Sequence, residues 1–160
     1  MNLRGLFLFL HVLGIILWVG LAVALPFVTG RAVRDGDLDT VAFAYRVSDR
    51  LMRTLGLAGV LLTLVGGIGL VVINPGFAWF QPFPAHWLFQ MQILGFAAAA
   101  AALVYQLPLG RKLAREADRS AEEGVLTEDF RSYRKQNAVA GSVVGLVLLV
   151  LVVLGTLRPM

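Results

Sequence analysis

The sequence predicts an all-α fold: a four-helix transmembrane bundle, one domain over residues 1–160, with two helical hairpin extensions on its cytoplasmic side. Three observations carry this. Four apolar stretches, at about residues 5–28, 54–73, 86–107 and 137–157, each supply the roughly 20 residues a helix needs to cross a bilayer. A hydrophobic content of 58% with a mean hydropathy of +0.78 exceeds what a soluble domain carries. Basic residues are unevenly placed: Arg31, Arg34, Arg46, Arg50 and Arg53 separate the first two stretches, and seven more lie from Arg111 to Lys135. Both basic loops are therefore expected in the cytoplasm and both termini outside, as in a bacterial inner membrane protein.

The first span, Leu3 to Val28, holds no charge after Arg4 and is expected to run as helix past Pro26 to about Arg34, where Asp35-Gly36-Asp37 is a turn signal. Ala22-Val23-Ala24 has the form of a signal-peptidase site, but the apolar run exceeds an h-region of about 7–15 residues and cleavage would place the first basic loop outside. Asp39 or Thr40 can cap the second helix, on which Asp49 can pair with Arg46 or Arg53. Its membrane half carries Gly56, Gly59, Thr63, Gly66 and Gly67 at helical spacing, a surface that lets another helix approach closely.

The uncharged connection NPGFAWFQPFP, with Trp79 and Trp87, fits an outer aromatic belt. The third span opens on His86, carries Gln90 and Gln92, and runs through the alanines 97–102. Past Pro108 a good helix former follows, Gly124 stops it, and Thr127 before Glu128 and Asp129 reads as the N-cap of the last helix. Ala138, Gly141 and Gly145 are expected to make the cytoplasmic half of the fourth span its buried half, with the aliphatic run to Leu154 facing lipid.

Composition closes off several functions. Absence of cysteine removes disulfides, thiolate metal sites, iron–sulfur clusters and covalent c-type haem. The net charge of +4 and pI of 10.1 do not point to nucleic acid, because all ten acids share the basic loops. A topology signal accounts for the excess, and contact with anionic lipid headgroups on the cytoplasmic face is compatible with it. No Asp, Glu or Lys stands inside a span, which argues against a carboxylate-based proton-coupled transporter, and no phosphate-binding glycine loop or Ser/His/Asp set is present.

His11 is the residue that asks for chemistry, since an ionisable side chain at membrane depth is costly unless paired or liganded. At 100° per residue, Arg4, Phe7, His11, Gly14, Trp18 and Ala22 share one stripe. A haem b ligated by His11 would find room at Gly14, a ring to rest on at Trp18, and a cation for a propionate at Arg4, roughly 10 Å outward. His86, on the same side and sharing a face with Gln90, is a candidate second ligand to haem or metal. The alternatives are structural. His11 can hydrogen-bond across helices to Gln90 or Thr63, and His86 can be an ordinary interfacial residue.

HVLGIILWVG with His11, Trp18 and Gly20, LLTLVGGIGL in the second span, the basic third loop and the closing GTLRP resemble a bacterial family of predicted four-helix membrane proteins of unknown function. That family is similar in turn to copper-resistance D type membrane proteins and to the four-helix protoporphyrinogen oxidases that bind haem b. The resemblance covers nearly the whole chain and implies a haem role for His11. A third-helix lysine of the oxidases has no counterpart here between His86 and Arg111, where Gln90 and Gln92 are the nearest substitutes. The expectations are a b-type haem-binding or redox-associated membrane protein; a non-catalytic bundle, homo-oligomeric or part of a larger membrane complex; or copper handling, for which only Met52 and Met91 lie away from the termini.

Overall fold

A computed structural model describes residues 2–74 and 87–157, without the side chains of Trp87 and Leu157. Six α-helices follow in order: α1 (Leu3–Asp35), α2 (Leu38–Leu51), α3 (Leu57–Ile73), α4 (Trp87–Ala100), α5 (Leu107–Glu123) and α6 (Glu128–Leu157). Two π-helical turns, Met52–Gly56 and Ala101–Gln106, join α2 to α3 and α4 to α5, so the described chain forms four long rods. Each is long and apolar enough to cross a membrane.

Asn2 starts α1 by accepting the Gly5 N–H at 2.7 Å. The helix continues through Pro26, as the sequence predicts, and the Thr29 hydroxyl donates to the Leu25 carbonyl at 2.9 Å in the following turn. Gly36, at φ 80°, ends it. The cap of α2 is Asp37, not the expected Asp39 or Thr40: its carboxylate accepts the Thr40 N–H at 3.1 Å and the Thr40 hydroxyl. Asp37 has the extended backbone an N-cap requires, whereas Asp39 and Thr40 already lie inside the helix. Further along, Arg53 takes Asp49, with its Nε 2.9 Å from both carboxylate oxygens, while Arg46 turns to Asp118 of α5 at 3.5 Å.

Both π turns lie where an apolar span meets its charged extension. In the first, the Thr54 hydroxyl donates to the Arg50 carbonyl at 2.9 Å, which helps satisfy backbone where the helix widens. The second precedes Pro108, whose ring would clash with the carbonyl four residues back in a regular helix; the wider turn gives it room.

Gly124, at φ 71°, ends α5. Buried Ser120 donates to the Glu116 carbonyl at 2.7 Å and accepts the Thr127 N–H at 3.2 Å, and Thr127 caps α6 through the Phe130 N–H at 3.1 Å. The two charged hairpins then pack on each other. Ala32, Val41, Tyr45, Leu113, Ala117 and Phe130 belong to their shared core, with the Tyr45 and Phe130 rings edge-on at 5.2 Å.

In the apolar half, α1 lies against α3, and α4 against α6. Trp18, Val60, Ala98, Ala99, Ala102, Val144 and Leu148 form the core joining the two pairs, so the alanine run does make a close-contact surface. The fourth span departs from expectation. A Cβ on Gly145 would meet nothing within 4 Å and one on Gly141 only the Gln106 amide, while Val144 and Leu148 are the buried residues. Bulky side chains bind α6 to α4, which removes the need for close backbone approach there.

Candidate functional site

His11 meets α3 through its ring. Its Nδ1 lies 2.7 Å from the Thr63 carbonyl, which can only accept, so Nδ1 carries a proton; in the neutral tautomer of this geometry Nε2 is the nitrogen with the lone pair. The imidazole is half-buried and lies against Gly67, where a Cβ would stand 3.2 Å from both Cε1 and Nδ1. Of the two interhelical partners the sequence offered, Thr63 is the one used. It acts through its backbone, because its hydroxyl is turned along its own helix to the Gly59 carbonyl at 2.8 Å.

Above and below the imidazole the two helices touch backbone to backbone. A Cβ on Gly66 would sit 2.7 Å from the His11 Cα and the Phe7 carbonyl; one on Gly59, 2.8 Å from the Trp18 nitrogen; one on Gly14, 2.7 Å from the Gly59 carbonyl. Only glycine permits this approach. It also corrects the expected role of Gly14: the notch it leaves is filled by Thr63 and Gly59 of α3 rather than open to a macrocycle.

The rest of the stripe is dispersed by the same packing. Phe7 lies over Gly69, Arg4 is exposed near the helix start, and Trp18 is 2% exposed within the core shared with α4 and α6. The indole N–H of Trp18 has no acceptor among the described residues. Of the third-span glutamines, Gln92 is buried and Gln90 half-buried. His86 lies outside the described residues, so its pairing with His11 and with Gln90 does too. Among the described residues no group of three or more His, Asp or Glu side chains is placed to hold a metal ion.

Two hollows lie near the junction of the apolar and charged halves, and His11 lines neither. One of about 490 Å³ lies between the second π turn and α6, with Tyr105, Gln106 and Lys135 among its walls. The other, of about 340 Å³, gathers Arg53, Arg111, Lys112 and Arg115. The sequence shows these four only as part of a loop charge bias; that they converge depends on the packing of α2 on α5.

A family described as "Predicted integral membrane protein (DUF2269)" matches residues 6–159. No curated protein and no solved structure matches the chain.

Proposed function

The chain belongs to this family of predicted integral membrane proteins (DUF2269), and from that premise we propose that it works as a packed four-span bundle in which His11 fastens α1 to α3. The carrying observation is the 2.7 Å bond from His11 Nδ1 to the Thr63 carbonyl, set between glycines that bring the two backbones into contact. In this reading the protein is a non-catalytic scaffold or a subunit of a larger assembly in a bacterial inner membrane, with its basic hairpins in the cytoplasm. Support for assembly comes from Gly20, Gly95 and Gly145, each with open space where a Cβ would stand. Glycine inside a helix costs about 1 kcal/mol against alanine, which close contact with a neighbouring helix would offset.

A second reading makes His11 an axial ligand of haem b through Nε2. What favours it is the tautomer: a ring nitrogen donating to a carbonyl orients the imidazole and leaves the other free to ligate, the arrangement common to metal-bound histidines. The fit is partial. His11 offers a suitable nitrogen, but the Gly14 notch and the Trp18 ring are taken up by helix packing, so a macrocycle would need a bed on another side of the ring. An absorption spectrum of the detergent-purified protein separates the two. Colourless, folded protein supports the scaffold, while a Soret band that disappears in His11→Ala overturns it in favour of haem. Copper content of the same preparation, after growth in copper-supplemented medium, tests copper handling.

A further inference from the structure

We propose that the basic cavity between the first π turn and α5 binds the headgroup of one anionic phospholipid. Arg53 enters it from the α2–α3 rod, and Arg111, Lys112 and Arg115 enter from α5. Leu103, Leu107 and Pro108 form the rest of its lining, so one concavity of about 340 Å³ has a cationic part and an apolar part. It lies where an apolar span gives way to a charged helix, the depth at which a phosphodiester sits above its acyl chains.

Charge balance at this place favours an anion. Asp49 is the carboxylate beside the cavity: it holds the Arg53 Nε, and a Cβ on Gly110 would lie 3.8 Å from it. No ion pair engages Arg111, Lys112 or Arg115 among the described residues; Lys112 has its ammonium 6.0 Å from the Tyr133 ring centre. Four cations therefore line the cavity, and no carboxylate is among its lining residues. A topology signal needs only the right number of basic residues in a loop. Here they are drawn from two rods onto one apolar-walled hollow. The Asp49 clamp fixes Arg53 at Nε and leaves its terminal nitrogens as donors, a geometry suited to phosphate oxygens. The apolar walls select a lipid over a soluble anion.

The test uses the full-length protein in neutral detergent micelles, titrated with dioleoyl phosphatidylglycerol or dioleoyl phosphatidylcholine and read by native mass spectrometry and thermal stability. Saturable binding of about one phosphatidylglycerol, at least about tenfold tighter than phosphatidylcholine, is expected. With each surface cation contributing about fivefold, the Arg111→Gln/Lys112→Gln/Arg115→Gln variant should weaken binding by more than tenfold. Arg31→Gln/Arg34→Gln/Arg131→Gln, which removes the same charge elsewhere at this end, should change it by less than about twofold. Equal loss in both triple variants overturns the site in favour of diffuse surface charge. Equal binding of the two lipids overturns it as well. Displacement of phosphatidylglycerol by millimolar inorganic phosphate or glycerol 1-phosphate would reassign the cavity to a free phosphate. Should the triple variant fail to fold, Arg111→Gln and Arg115→Gln are made singly; these exposed positions should each weaken binding about fivefold, and no change in either refutes the proposal.

Discussion

Replacing Gly66 by alanine tests the backbone contact between α1 and α3. The added Cβ would lie 2.7 Å from the Phe7 carbonyl and the His11 Cα, and nearer still to the His11 nitrogen. All three are main-chain atoms of a helix, so no side chain can swing aside. Ordinary contact begins near 3.4 Å, so α1 must withdraw by at least about 0.7 Å. Overpacking of this kind costs about 1–3 kcal/mol. Stretching the bond from His11 to Thr63 adds up to about 0.6 kcal/mol, and the better helix propensity of alanine returns about 1 kcal/mol. The expected net loss is about 0–2.6 kcal/mol. Gly30→Ala is the control: with nothing within 4 Å of its Cβ it keeps only the propensity gain and should be neutral or stabilised by up to about 1 kcal/mol. Reversible unfolding against dodecyl sulfate mole fraction in mixed micelles, followed by tryptophan fluorescence, measures both. Equal stability of the two variants would refute the contact, because the propensity gain is common to both and the clash is not.

Three further outcomes follow from the same structure. His11→Phe should lose about 0.6 kcal/mol in that assay, whereas Thr63→Ala should lose less, because the carbonyl that accepts from His11 remains. Phe130→Ala removes a side chain that is 0% exposed and packed edge-on against Tyr45; a loss of about 3–5 kcal/mol is expected, with proteolysis directed to the charged hairpins. The Thr40 hydroxyl, and then its N–H, hold the Asp37 carboxyl below its ordinary range. The cap's contribution is therefore complete above the ordinary carboxylate range and fades as pH falls through the lowered value. Asp37→Asn should cap the helix without that acid-side decline in melting temperature.

What the sequence made legible was whatever depends on one helix at a time. Spans, the run through Pro26, the Gly36 and Gly124 stops and the Thr127 cap follow from local composition and turn chemistry. The stripe from Phe7 to Trp18 was equally visible, because helical periodicity places it on one face. Which neighbour that face meets was not. Gly59 and Gly66 on α3 look no different in sequence from Gly141 and Gly145 on α6, yet the first pair receives a backbone and the second does not. The acceptor for His11 is a main-chain carbonyl, a group every residue carries, so no pattern of side chains could single it out. The gathering of Arg53 with Arg111, Lys112 and Arg115 depends on two rods meeting, and loop charge cannot show it.

The bond between His11 and Thr63 joins residues 52 positions apart. During synthesis the first span leaves the ribosome before its acceptor exists, and at about 5–20 residues per second the imidazole waits several seconds for α3. Insertion of the first helix and its docking are thus separate events. Whatever surrounds the nascent span in that interval must tolerate a lone polar ring, and α1 gains its final seat only when the second rod arrives beside it.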